Sequence, residues 1–222
     1  MGTHSGRKWI LALEIAGIMV LMPLFGYLIY EQREMLFGAG QEATLPRLNP
    51  PAPTPPPIEL RDAYEAALGV ARGYAEDVQI ISASTSWHDA DKEALLAGAA
   101  AWSFVFYAPT DSQTLDIVVD DSGASLVKAT RVWEAPPPIS RDGWHSELKE
   151  AVLVFLAYGG EEFLAAHPQA QIDLHLGPDS EGRTVWNIVA FDKEGQALCS
   201  VTIDAATRHV LEHQKLVRNA VR

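Results

Sequence analysis

Cysteine is nearly absent from this chain: Cys199 is the only one in 222 residues. No intrachain disulfide can form, so a folded domain must be held by its core alone. Basic residues are also scarce, 17 lysines and arginines against 29 aspartates and glutamates, and the net charge is −12. Setting aside Arg7, Lys8 and Glu14 leaves 15 against 28, a net charge of −13 for the remainder. Such a surface repels phosphates, which argues against nucleic acid and anionic lipid as partners. The signatures of catalysis are missing too. There is no G-x-S-x-G, no H-E-x-x-H and no phosphate-cradling glycine loop. Triads assemble from distant residues, so this removes positive support for an enzyme without excluding one. The expectation is a non-enzymatic protein with no cofactor.

One long apolar run is present. "WILALEIAGIMVLMPLFGYLIY", Trp9 to Tyr30, follows Arg7 and Lys8. As a helix it would be about 33 Å long, enough for a bilayer's hydrocarbon core. Trp9, Tyr27 and Tyr30 stand where interfacial aromatic anchors belong. A cleaved signal peptide would have a shorter apolar core ending at a small-residue site, whereas the small residues of "FGAG" come only at Phe37 to Gly40. The flanking charges then predict a single-pass cell-membrane protein, its N-terminus cytoplasmic and its C-terminal domain extracytoplasmic. Glu14, inside the run, is either a snorkelling or protonated carboxylate or a contact to a partner helix.

"LPRLNPPAPTPPP", Leu45 to Pro57, holds seven of the fourteen prolines. In polyproline II form it would span about 40 Å. Beyond it, "IELRDAYEAALGVARGYAED" places Ala63, Tyr64, Ala67, Leu68 and Ala71 at helical spacing. "VQIISASTSW" reads as a strand and "DADKEALLAGAA" as a long turn with a helical bend. "AWSFVFYA", "TLDIVVDD" and "ASLVKATRVW" read as three more strands. After "EAPPPIS" the order returns. "WHSELKEAVLVFLAYGGEEFLAAH" reads as a helix interrupted at Gly159-Gly160, and "AQIDLHLG", "TVWNIVAF", "ALCSVTID" and "RHVLEH" as four strands.

The last three strands of the two halves superimpose at an offset of 84 without a gap. Trp102 falls on Trp186, Phe104 on Ile188, Ile117 on Val201, Val119 on Ile203, Asp120 on Asp204 and Leu126 on Val210. Each half therefore reads as a helix followed by a four-stranded antiparallel meander, an internal duplication that predicts an α+β fold of two lobes behind one transmembrane helix. The expected organisation is a cytoplasmic N-terminus (1–8), the span (9–30), a juxtamembrane segment and proline-rich linker (31–57), lobe 1 (58–133), a proline-rich connector (134–142), lobe 2 (143–214) and a tail (215–222).

"VWNIVAFDKEGQALCSVTIDAATRHVL" resembles the PepSY domain, in which an aromatic-led strand, a glycine turn, a strand ending in Asp and a threonine-containing turn lead to "VL". Trp186, Gly195, Asp204, Thr207 and Leu211 stand at the matching places, and Trp102 and Asp120 repeat two of them. With its basic N-terminus, apolar run and duplicated lobes, the chain is similar to the TseB-like, cystatin-like regulators of cell-wall elongation. The family has glycine after the turn threonine, where Arg208 stands here, and the first half lacks the threonine. The resemblance implies a non-enzymatic extracytoplasmic module that binds or regulates another envelope or membrane protein.

The residues themselves give few candidates for chemistry. Asp120 and Asp204 sit where strands enter turns, and aspartate there bonds the backbone two residues on, so their role is structural. Trp102 and Trp186 lead apolar alternations and belong to a core. Cys199 alternates with Val201 and Ile203 as a buried, inert thiol. His209 and His213 on one strand would lie about 13 Å apart, too far to share a metal. Trp87, His88, Asp89 and Asp91, in "WHDAD", form the best local polar cluster, but it lacks the glycine and terminal glutamate of a calcium loop. The function expected is docking through sheet edges or the cleft between lobes, as an accessory or regulatory partner. The alternatives are a structural subunit of a membrane assembly held by its apolar helix, and an envelope hydrolase built around His88.

Overall fold

The computed structural model describes residues 56–140, 144, 146–195 and 197–217. Helix α1 (Leu60–Arg72) forms because Leu60, Ala63, Ala67, Leu68 and Ala71 share one face, and all five are buried. Three of them are alanines with no exposed surface, so the helix backbone lies close to the sheet beneath. Strand β1 (Gln79–Trp87) follows, then a short helix α2 (Lys92–Ala97), β2 (Trp102–Ala108), β3 (Gln113–Asp120) and β4 (Gly123–Arg131). The second half supplies helix α3 (Leu148–Phe155), a π-helical turn (Leu156–Gly160), helix α4 (Glu161–Ala166), β5 (Gln171–Pro178), β6 (Thr184–Phe191), β7 (Ala197–Asp204) and β8 (Val210–Val217).

The two halves do not close as separate lobes. All eight strands form one antiparallel sheet in the order β4-β3-β2-β1-β5-β6-β7-β8. The expectation of a tandem of four-stranded lobes is corrected by the pairing of β1 with β5, Ala83 to Trp87 against Leu176 to Ile172. The physical reason is the cost of open edges: each meander alone would leave its first strand with unpaired N–H and C=O groups, and here the two first strands satisfy each other. Because that seam is antiparallel, the halves are related by an approximate two-fold axis through it. A single hydrophobic core runs through both, from Leu60 and Phe104 to Val201 and Ile203.

Register shows why the sheet has two unlike faces. One row across it reads Leu126, Ile117, Phe104, Ala83, Leu176, Trp186, Ile203, Val210, one apolar residue from every strand, and packs under the helices. The adjacent row reads Ser125, Val118, Ser103, Ser84, His175, Asn187, Thr202, Glu212, and is polar but for Val118. The period of two in the sequence thus fixes a layer of helices on one face and leaves the other open.

The gapless alignment of the halves is also corrected at the last hairpin. Asp120 pairs with Gly123 across a two-residue turn, whereas Asp204 and His209 are joined across a longer one, the Asp204 N–H donating to the His209 carbonyl at 2.9 Å. Leu126 therefore faces Ile117, but Val210 faces Ile203, two places further along. A shift of two keeps each residue on its face, which is why the sequence alignment hides it. Both outer strands carry a β-bulge, at Val127 and at Leu211.

The second-half helix breaks at Tyr158 and Gly159, the latter at φ 103°. Next to the break, a Cβ on Gly160 would lie 2.4 Å from the ring of Phe155, which has no exposed surface. The ring has nowhere to go, so Gly160→Ala is expected to cost about 1–3 kcal/mol by overpacking. Urea unfolding measures this, and an unchanged midpoint would contradict the packing described.

Among the described residues no helix is long and apolar enough to cross a membrane. The expectation of a single-pass membrane protein with a cytoplasmic N-terminus and an extracytoplasmic C-terminal domain is corrected to this extent, that the described residues supply no spanning helix. The run Trp9–Tyr30, with Glu14, lies outside the described residues, as does the linker up to residue 55.

Candidate functional site

The duplicated tryptophans anchor their halves in the same way. The Trp102 indole, 1% exposed, donates to the Ile58 carbonyl at 3.1 Å, and the Trp186 indole, fully buried, donates to Ser146 Oγ at 2.8 Å. Ile58 and Ser146 each stand two residues before a helix, so each tryptophan fixes where its helix begins. Ser146 Oγ passes the bond on to the Ala205 carbonyl at 2.7 Å. The residues that follow repeat as well: Glu59-Leu60-Arg61 opens α1 and Glu147-Leu148-Lys149 opens α3.

These two starts face one groove at the seam of the halves, a hollow of about 570 Å³. Leu60, Tyr64, Leu95, Leu96, Trp144 and Leu148 contribute apolar surface to it, and Glu59, Arg61, Glu65, Glu147 and Lys149 the charge. Tyr64 and Trp144 meet edge-on with ring centres 5.6 Å apart. Tyr64 also packs against both Phe104 and Phe106, so its position is set by the core. The Glu147 N–H donates to Glu150 Oε2 at 3.2 Å, which caps the start of α3. Arg61 and Lys149 form no ion pair among the described residues, as is also true of Arg72, Lys128 and Arg131.

The sheet offers two other surfaces. The free edges of β4 and β8 carry Val127, 66% exposed in its bulge, and Leu216, 50% exposed, together with Leu211; Trp133, fully exposed, lies two residues past β4. On the open face the His175 ring lies down on Gly177, where a Cβ would come within 2.6 Å of Nε2. Burial holds this imidazole below its ordinary pKa, although the residue as a whole remains exposed. On the same face burial raises the Asp116 carboxyl, opposed by Lys128 directly across in β4.

The polar cluster singled out in the sequence is taken up by local structure. The Trp87 indole donates to the Gly98 carbonyl at 3.0 Å, and Asp91 caps α2 by accepting the Ala94 N–H at 2.7 Å. His88 is exposed, and Asp89 takes a left-handed φ of 51°. No group of three metal-ligating side chains gathers there or elsewhere among the described residues. Cys199 is buried, which raises its thiol pKa.

Asp120 and Asp204 each close a turn. Asp120 Oδ1 accepts from the N–H and hydroxyl of Ser122, and Asp204 Oδ1 accepts the N–H groups of Ala206 and Thr207 and the Thr207 hydroxyl. These bonds, from Ser122 in one case and Thr207 in the other, hold both carboxyls below their ordinary pKa. Their stabilisation is present above the unfolded carboxyl pKa and is lost as pH falls through the lower folded values. Stability is therefore expected to fall in acid, and less steeply in the double variant Asp120→Asn/Asp204→Asn, as followed by urea midpoints against pH.

Gly195 takes φ 65° in the β6–β7 turn. Arg208 takes φ 64°, a conformation suited to glycine, and its side chain pairs with Glu150 at 3.0 Å. Arg208→Gly relieves strain of about 1 kcal/mol and forfeits an exposed ion pair worth less than that. A small net stabilisation in chemical denaturation is the expected result.

What the sequence missed is the groove, since the matching "ELRDA" and "ELKEA" helix starts lie at an offset of 88 rather than 84. No family model and no curated protein matches the chain. Among solved structures it is similar to a chain described as a putative lipoprotein from Clostridium difficile 630, at 12% identity and a TM-score of 0.46, over 69% of this chain and 92% of that one.

Proposed function

We propose that this chain is a non-enzymatic binding module that acts as an accessory or regulatory partner of another protein. The observation that carries the reading is where apolar side chains remain uncovered. Of the seven large hydrophobic residues exposed among the described residues, Val127, Leu211 and Leu216 lie on the two edge strands and Trp133 just beyond β4. Both edges carry the bulges and charged residues that ordinarily blunt strand pairing, so the hydrophobic side chains left exposed beside them favour side-chain contact with a partner. The resemblance to the PepSY domain supports the same reading. It is tested by crosslinking the full-length protein in the cells that express it, followed by mass spectrometry. Crosslinks from residues 56–217 to one other protein are expected. Efficient labelling of the chain with no reproducible partner would sink the reading.

A further inference from the structure

We infer that the groove at the seam of the two halves, continued along α1, is the docking site for a proline-rich segment of a partner protein; this rests on the binding-module reading above. The groove does not end at the helix starts. Tyr64 and Trp144 border the hollow of about 570 Å³ on one side and a second one of about 340 Å³ on the other, walled by Leu68, Arg72, Ile80 and Ile139. The two rings, held edge-on, thus form an aromatic ridge with a recess on either flank. Proline-rich segments in polyproline II form dock on aromatic-lined grooves of this kind, because they arrive already extended and lose little freedom on binding. This chain lays one proline tract of its own along the same wall. Pro138 and Ile139 border a third hollow beside Tyr64, held there by the Ile139 N–H, which donates to the Ile80 carbonyl at 2.8 Å.

Hydrogen bonding selects the same occupant. Trp87, Trp102 and Trp186 donate their indole N–H groups to Gly98, Ile58 and Ser146, whereas the half-buried Trp144 indole meets no acceptor among the described residues. The Tyr64 hydroxyl has no hydrogen bond among them either. The ridge therefore offers donors and flat apolar faces together. Proline has no N–H, so a proline-rich segment brings carbonyl acceptors and asks for none in return. A helical peptide spends its carbonyls within itself, and a strand seeks a sheet edge, which the helix starts around this groove do not offer. Charge then sets the residue carried among the prolines. Over both recesses Glu59, Glu65 and Glu147 are balanced by Arg61, Arg72 and Lys149, so the walls are neutral and the chain's net charge of −12 decides. It draws a segment that bears a cation and opposes one that bears a carboxylate.

The test titrates the full chain with fluorescein-labelled nine-residue peptides, read by polarisation. One has a central arginine among prolines, one a central glutamate among prolines, and one a central arginine among alternating alanines and serines. The proline–arginine peptide is expected to bind best, the glutamate peptide several-fold more weakly and the alanine–serine peptide barely. Trp144→Phe keeps a ring but not the donor, and should weaken binding by about threefold to tenfold, the loss of one hydrogen bond to the peptide. Trp144→Ala should weaken it further, and Trp133→Ala, past the end of β4, should leave it unchanged. Absence of binding, or equal binding of either control peptide, overturns the proposal. Binding that is indifferent to Trp144→Ala but lost with Trp133→Ala places the peptide beyond β4, which overturns the groove while leaving the binding-module reading intact. Tighter binding on deletion of residues 45–55 would make the chain's own proline-rich segment the occupant and overturn a partner in that place. The broader reading fails separately, on the crosslinking result.

Discussion

Trp186→Ala is expected to lower stability by about 3–5 kcal/mol, the range for deleting a large aromatic side chain from a packed core. The indole has no exposed surface, pairs across the sheet with Leu176 and Ile203, and sits under α3. Its N–H is the second part of its role. Ser146 Oγ accepts that N–H at 2.8 Å and donates to the Ala205 carbonyl at 2.7 Å, so three segments meet at one hydroxyl. Ser146→Ala keeps the ring and the bond from its own backbone N–H to the Ala205 carbonyl, but leaves the buried indole donor without an acceptor, at a cost of about 1–3 kcal/mol. Trp186→Phe removes the donor and keeps most of the apolar bulk. If the hydroxyl matters as described, Ser146→Ala should cost clearly less in a Trp186→Phe background than alone. Additive effects in that cycle, measured by urea unfolding, would show that the bond contributes nothing. Trp102 provides an internal contrast: its acceptor is the Ile58 backbone carbonyl, so no side-chain deletion in the first half can reproduce the Ser146→Ala effect.

These tryptophans were legible in the sequence, and the reason is local. Period-two alternation places Trp102, Phe104 and Phe106 on one face, as it does Trp186, Ile188 and Ala190, and all six are buried. Turn chemistry was legible for the same reason, since an aspartate before "DSG" or "AAT" can reach only its own turn. The joining of β1 to β5 was not. Whether a first strand stays an edge or pairs with another depends on backbone groups, which every sequence carries alike. Side chains at the seam, such as Ser84, Ser86 and Asp173, read as those of an ordinary half-exposed strand. The groove was invisible for a related reason, because it needs both helix starts in place, and their repeat runs at a different offset from that of the strands. The "WHDAD" cluster is the opposite case, polar residues adjacent in sequence that do not act together. Trp87 and Asp91 stand close to polar neighbours in sequence, but each spends its polar atoms on α2.

The seam yields the other large effect. Ser84 lies at the middle of β1, paired with Ser103 of β2 on one side and His175 of β5 on the other, and its side chain is on the open face. Ser84→Pro therefore alters the backbone of a central strand and leaves the helix-side core unchanged. Proline there removes a ladder donor and forces the pairing apart, a change expected to cost about 3 kcal/mol or more. How that loss spreads is the sharper question. Two independent lobes would let residues 58–133 loosen while β6 and β7 kept their protection. In the structure, separating the halves would uncover Ala83, Ile172, Leu174 and Leu176, each at most 1% exposed, and open two strand edges at once. Each half has some 75 residues, a size at which a single core leaves little stability to spare. Ser84→Pro should therefore lower the amide-exchange protection of β6 and β7 together with that of β2 and β3, and thermal unfolding should remain a single transition. Retained protection of β6 and β7 alone would mean that the eight strands fold as two units that merely touch at β1 and β5.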